Sequence, residues 1–273
     1  MKRLHILGLL LLITIGLVFY FNWNKPPTIL NTKGTQGFEN IDDAISRAIK
    51  DLSSSYAPGE IATEGHVILS VKEKGKIVKV YAIASNGTFG FENGIFTKIS
   101  GSGAIPTVIT FSKEESGDYS LLEYKEPMDG AGYTDSIKKM FPINLRIRVF
   151  SAHDYYPTLA KQQEEQAKEY LRSIGRTAEV SADHVEKELP NIDVNASNKL
   201  FAELTKYNSF LNDCPYWLGT REKVEDGVRY IYETSQGKTS DGFDLITFQK
   251  KKEGTIVEEY KYKIVESEPE VVN

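Results

Sequence analysis

The sequence predicts an α+β protein behind a single N-terminal membrane-spanning helix, and three patterns predict it. Leu4 to Trp23 is an apolar run interrupted only by His5, Thr14 and Asn22, long enough to cross a hydrocarbon core of roughly 30 Å as a helix. Beyond it, stretches of alternating apolar and polar residues are separated by turn signals such as Asn93-Gly94 and Glu253-Gly254, the signature of antiparallel hairpins. Between these strands lie two segments with apolar residues three and four apart, the spacing of a helix face.

The chain is 273 residues long, with 40% hydrophobic and 26% charged residues, a balance that excludes wholesale disorder. The flank of the apolar run carries Phe19, Tyr20, Phe21 and Trp23. These suit a membrane interface, whereas a signal peptidase requires small residues there. Residues 1-24 are therefore expected to be a retained signal-anchor contacting the membrane through residues 4-23. Lys2 and Arg3 should hold the N-terminus in the cytoplasm, which places the body outside it. The only cysteine, Cys214, stands far from any lipoprotein attachment position and can form no internal disulfide. An exported chain without disulfides fits a Gram-positive bacterium.

Residues 25-37 form a linker, with Pro26 and Pro27 followed by turn formers up to Thr35. A first α+β domain is expected over 38-176. Its opening helix starts at Asn40 or Asp42 and presents Ile41, Ala44, Ile45, Ala48, Ile49 and Leu52 on one face. Strands follow through His66 to Val71, Val78 to Ala84, Ile105 to Phe111 and Tyr119 to Tyr124, with turns at Lys72 to Gly75, Asn86-Gly87, Asn93-Gly94 and Glu114 to Asp118. A helix over Thr134 to Phe141 and a strand over Asn144 to Phe150 close the sheet. A long helix, 157-174, is marked by Pro157 in its first turn and Gly175 after its end.

The weakly patterned stretch from Thr177 to Asn198 marks a boundary, and 177-266 is expected to be a second α+β domain. In it a helix through Leu200, Phe201 and Leu204 precedes strands at Tyr216 to Leu218, Val228 to Thr234, Phe243 to Gln249 and Ile256 to Val265. Residues 267-273 read as a frayed acidic tail.

Function is less legible than fold. Removing Lys2 and Arg3 leaves 31 basic against 38 acidic residues, so there is no basic surplus for a nucleic-acid partner. His5, His66, His153 and His184 lack the spacing of a helical zinc site; no metal and no cofactor is expected. Cys214 reads as a small apolar residue beside a buried Trp217. Ser85 to Gly90 and Gly101 to Gly103 read as hairpin turns, since neither opens a helix in a phosphate-binding spacing. Ser136-Ile137-Lys138-Lys139 has the Ser-x-x-Lys form of penicillin-recognising acyl-enzymes, and Lys238-Thr239-Ser240 is a degenerate Lys-Thr-Gly. Ser136, Lys139 and Lys238 are thus the candidate catalytic set of an alternative acyl-transferase or hydrolase reading. The order fits that reading, but the intervening Ser-x-Asn or Tyr-x-Asn element is missing.

The leading reading is a sensory or accessory binding module for a protein, peptide or cell-wall-derived ligand, carried on loops that a rigid scaffold positions. The two most unusual loops are Phe89 to Gly103 and Ser235 to Gly242. The first supplies the candidate binding residues Phe89, Phe91, Glu92 and Phe96. These phenylalanines either expose an aromatic surface or point into the core of a twisted hairpin.

Several motifs carry a resemblance. The Ser85-Asn86-Gly87 and Phe91-Glu92-Asn93-Gly94 turns within Glu64 to Thr110, Tyr124-Lys125-Glu126-Pro127-Met128-Asp129-Gly130, Lys161 to Arg176, and Cys214-Pro215-Tyr216-Trp217-Leu218-Gly219 through Tyr230-Ile231-Tyr232 to Phe248 are similar to the extracytoplasmic C-terminal region of some clostridial and bacillar proteins of the β-lactam sensor–antirepressor membrane metallopeptidase family. The similarity covers roughly residues 38 to 265. This chain has one apolar segment where that family has several, and it lacks His-Glu-x-x-His. No catalytic residue of the family carries over. The resemblance implies a surface-facing accessory or sensory domain.

Overall fold

The computed structural model describes residues 40–51 and 56–272. The expected anchor and linker lie outside the described residues. Among the described residues no helix is long and apolar enough to cross a membrane.

The first helix, α1 (Ile41–Asp51), is capped by Asn40, whose side-chain oxygen accepts from the Asp43 amide at 2.9 Å. It buries Ala44, Ile45, Ala48 and Ile49, the spacing of one helix face. The strands β1 (Ile61–Lys74) and β2 (Ile77–Glu92) form a long hairpin turned at Gly75, whose φ is 61°. Next come β3 (Ile95–Gly101), β4 (Ile105–Lys113) and β5 (Tyr119–Lys125). Helices α2 (Tyr133–Met140), α3 (Arg146–Phe150) and α4 (Tyr156–Ser173) follow, then the two-residue β6 (Val180–Ser181). The last part holds α5 (Val194–Asn198), α6 (Ser209–Asp213) and a meander of β7 (Gly219–Glu225), β8 (Val228–Lys238), β9 (Asp244–Lys252), β10 (Thr255–Val265) and β11 (Glu268–Val272).

Strand β2 organises the sheet because it changes partners along its length. One edge pairs with β4 as far as Ala84 and with β3 from Gly87 onward. The other edge pairs with β1 as far as Phe89 and reaches β7 through Glu92 opposite Arg221. One hydrogen-bonded path therefore runs from the first half of the chain into the second, and the two units expected on either side of residue 176 share it. All pairs are antiparallel except β3 with β6.

Both faces of β2 are covered, and its residues from Val80 to Glu92 are all buried. Val78, Val80, Ala82 and Ala84 pack under α1 with Ile109 and Phe111. The alternate residues face the other way, as the pleat requires: Tyr81 meets Ile137, Phe141, Leu145 and Val149; Ile83 meets Leu159; Phe89 and Phe91 meet Ala167 and Leu171. In the second half, Leu200, Phe210 and Leu211 cover Tyr232, Ile246, Phe248, Tyr262 and Ile264.

Five local expectations are corrected. Tyr216 to Leu218 is not a strand: Leu218 makes only an isolated bridge to Glu188, and the strand begins at Gly219. Residues 144 to 150 are helical, not a strand: Leu145 and Val149, one turn apart, point inward, while Ile147 is 64% exposed. Asn86-Gly87 is not a turn but lies inside β2, opposite Glu64 and Thr63. Residues 235 to 242 are not wholly loop, because β8 runs to Lys238 before the turn closed by Thr239 and Phe243. The tail is not frayed: Glu266, with φ of 55°, reverses the chain and β11 pairs with β10.

Candidate functional site: a cleft around Lys98

Lys98 projects from β3 into a cleft of about 230 Å³, lined also by Ser100, Gly101, Ser102, Gly103, Tyr156, Ala182, Asp183 and His184. Local chain geometry makes the cleft. A Cβ on Gly87 would come within 2.8 Å of Gln163 Oε1 and 2.9 Å of Lys98 Cε, so only glycine lets the lysine stem lie across β2. Gly101, with φ of 149°, would set a Cβ 2.3 Å from the Asn86 carbonyl oxygen. These glycines serve close packing and not a hairpin turn. The 102 side of the wall is fixed by the Ser102 amide donating to Asn86 Oδ1 at 3.2 Å and by Ser102 Oγ accepting from the Asn86 amide at 3.1 Å. The facing wall is pinned by Thr97 Oγ1, which donates to the Asp183 carbonyl at 2.7 Å.

The Lys98 ammonium donates to the Ser102 carbonyl at 2.7 Å and approaches Ser85 Oγ at 3.5 Å, with the Tyr156 ring centroid 5.6 Å away. Among the described residues no carboxylate is paired with it: its hydrogen-bond partners are the Ser102 carbonyl and Ser85 Oγ. The residue is 6% exposed, and burial brings the lysine pKa down to about 8. A buried cation with one neutral acceptor at close range is costly unless a ligand completes its shell. Asp183 stands exposed at the mouth of the same cleft. Burial, and then the charges of Asp183 and Glu164, raise the pKa of Tyr156. The cleft thus offers a positive charge inside and a negative charge at its rim.

Ser85 lies next to Lys98 but is not presented as a nucleophile. It is 1% exposed, donates to the Ser102 carbonyl at 2.9 Å and accepts from Gln163 Nε2 at 2.8 Å. Gln163, wholly buried on α4, keeps its Oε1 without a hydrogen-bond partner among the described residues.

A second polar cluster joins α1 to β1. His66 Nδ1 lies 2.8 Å from Glu64 Oε2, and its Nε2 lies 3.1 Å from Asp42 Oδ1. Burial opposes protonation of this imidazole, yet the hydrogen bonds to Asp42 and Glu64 outweigh it and raise its pKa to about 9. Helix α4 secures the free edge of β1 beside it: Gln162 exchanges two hydrogen bonds with the His66 backbone, and Gln166 does the same with Glu64. Among the described residues no hydroxyl or thiol is bonded to the His66 ring, and its two carboxylate partners clamp α1 to β1.

The structure places the residues singled out in the sequence as follows. Phe89, Phe91 and Phe96 are at most 1% exposed and pack on α4, in the inward orientation. The guanidinium carbons of Arg176 and Arg229 lie 3.9 and 5.2 Å from the centre of the Phe91 ring. Both arginines bond Glu222, and Arg229 also bonds Glu60. Glu92 is buried, 2.9 Å from Lys187 Nζ and 3.8 Å from Arg221, and the same two cations lie over Trp217. These four residues form the seam between the halves of the sheet and not an exposed surface.

Ser136 Oγ donates to the Tyr133 carbonyl at 2.7 Å and accepts from the Met128 amide at 3.1 Å. Lys139 is exposed on α2, and Lys238 pairs with Asp244 at 2.9 Å in the second half of the chain. Ser136 and Lys238 have separate partners. Cys214 is buried and its thiol pKa is pushed up to about 12 by burial, so it is no nucleophile. His153 is paired with Asp154, and His184 lines the Lys98 cleft.

Lys98 lies on the same β2–β3 hairpin as Phe89, Phe91, Glu92 and Phe96 but was not among the residues singled out in the sequence. A signal was present: Lys98 sits between Thr97 and Ile99 in a strand, where a solvated lysine would be expected, yet Gly101-Ser102-Gly103 follows two residues later. The sequence matches no family model, and no curated protein or solved structure matches it.

Proposed function

We propose that this protein is a tethered, non-enzymatic binding module whose Lys98 cleft takes a small zwitterion of the amino-acid or short-peptide class. The observation that carries the reading is the buried Lys98 ammonium without a carboxylate partner, in a cleft whose rim bears Asp183. A ligand carboxylate completes the ammonium's hydrogen bonds, and a ligand ammonium meets Asp183. The cleft volume of about 230 Å³ is below the roughly 300–1,000 Å³ of drug-sized sites, which suits one amino acid or the end of a short peptide. Ser100 and Ser102 supply neutral hydrogen-bonding groups in the same wall.

The tether and the extracytoplasmic placement rest on sequence alone: Lys2 and Arg3 ahead of the apolar run, and aromatics after it. The resemblance of the sequence to the sensor–antirepressor ectodomains supports a module that reports an amino-acid or wall-peptide fragment outside the cell.

The test is a thermal-shift panel of L- and D-amino acids and dipeptides against the full chain in detergent micelles, each compared with its carboxamide. A ligand at 100 times its Kd contributes about 2.7 kcal/mol, and at about 2–4 °C per kcal/mol the midpoint rises by roughly 5–10 °C. The carboxamide should give no shift. A panel without any shift, or acids and amides shifting alike, would refute the reading.

A further inference from the structure

Residues 143 to 150 are apolar on two sides. Leu145 and Val149 are buried in the cluster with Ile137 and Phe141. Ile143, Ile147 and Phe150 follow at i, i+4 and i+7, so they share the opposite side of the helical stretch, and they are 79%, 64% and 44% exposed. A soluble surface does not ordinarily line up three large apolar side chains in this way.

The charge around this stripe is unlike that of the rest of the molecule. Between Ser136 and His153 there are four cations, Lys138, Lys139, Arg146 and Arg148, and no acidic residue, in a chain whose net charge is −5. Asp135 and Asp154 bracket the run, Asp135 lying 3.9 Å from Lys138 Nζ. Arg146 bonds the Phe141 and Lys138 carbonyls, and Arg148 bonds Tyr155; these hydrogen-bond partners are neutral groups. An exposed apolar stripe flanked by cations matches a lipid surface with anionic headgroups, where the aliphatic and aromatic tips enter the acyl boundary and each cation adds about 1 kcal/mol.

We infer that the 143–150 face docks on an anionic lipid bilayer. The apolar run Leu4 to Trp23 stands 17 residues before α1, a separation of at most about 60 Å in an extended chain, so a bilayer holding that run lies within reach of the body. Docking would fix the orientation of the body on the membrane.

The experiment uses the full chain in liposomes of phosphatidylglycerol or of phosphatidylcholine. An environment-sensitive fluorophore is placed at Asn144→Cys, or at Tyr207→Cys as a reference position that is 89% exposed. Native Cys214 is buried, 5% exposed, and should stay unlabelled. Docking predicts that iodide quenching at position 144 falls at least fivefold in phosphatidylglycerol relative to phosphatidylcholine, while position 207 is unchanged. Ile147→Asp and Lys138→Glu/Lys139→Glu should each restore quenching without changing the melting temperature. Equal quenching in the two lipids overturns the proposal, and so does shielding of position 144 in lipid-free detergent, which would assign the face to a protein contact.

Discussion

Asp42 Oδ1 and His66 Nε2 lie 3.1 Å apart, joining the first turn of α1 to β1, while the other ring nitrogen of His66 holds Glu64. This histidine is charged in the fold: its pKa is raised to about 9 from 6.5. Below pH 6.5 both folded and unfolded chains carry the proton and the contribution is complete; it declines as pH rises and is gone above 9. A shift of that size corresponds to about 3 kcal/mol. Denaturant titrations from pH 6 to 9.5 should show the stability gap between wild type and His66→Gln closing as pH rises. A constant gap would contradict the clamp.

Lys98 has the opposite linkage. Its pKa is lowered by burial to about 8, so the cost of the buried charge is full below pH 8 and is relieved as pH rises from 8 to 10.5. Replacing such a group by an apolar side chain of similar shape is neutral or stabilising. Lys98→Met should be more stable than wild type at pH 7 by about 1–2 kcal/mol, read from chemical denaturation. A loss of 2 kcal/mol or more would show that the lysine serves the fold and not a ligand.

Phe91 lies under the guanidinium groups of Arg176 and Arg229 and is 1% exposed. Truncating a buried phenylalanine costs about 3–5 kcal/mol. Phe91→Ala should therefore move the unfolding midpoint far downward. A variant that melts within a degree or two of wild type would return the 89 to 96 segment to the list of recognition surfaces.

Ser136 ties the first turn of α2 to the preceding loop, donating to the Tyr133 carbonyl and accepting from the Met128 amide. Incubation with a fluorescent β-lactam should leave wild type unlabelled. Covalent label that disappears in Ser136→Ala would reinstate acyl transfer.

Much of the architecture was legible because its signals are local. The α1 face at 41 to 49, the Pro157 and Gly175 limits of α4, and the Asn93-Gly94 and Glu253-Gly254 turns are each fixed by neighbours in sequence. Asn86-Gly87 misled because glycine there answers a contact across the sheet, from Gln163 and Lys98, and not a turn. Residues 144 to 150 misled because Leu145, Ile147 and Val149 alternate in a window too short to separate the two periods; Pro142 and the inward pair Leu145 and Val149 decide for helix. The site was hidden for the same reason as Gly87. Lys98 with Ser102, Tyr156 and Asp183 come from three segments, and only the fold brings them together.

On the proposed reading, Lys98 and Asp183 bind the two ends of a small zwitterion. Isothermal titration calorimetry of the most stabilising acid from the panel should be run on wild type, Lys98→Met and Asp183→Asn, at pH 6.5 and pH 9. The account predicts binding by wild type at pH 6.5 that weakens at least tenfold at pH 9, as the ammonium loses its proton. Heats for folded Lys98→Met should be undetectable, and Asp183→Asn should bind at least fivefold more weakly. Binding by Lys98→Met with wild-type affinity would contradict the account.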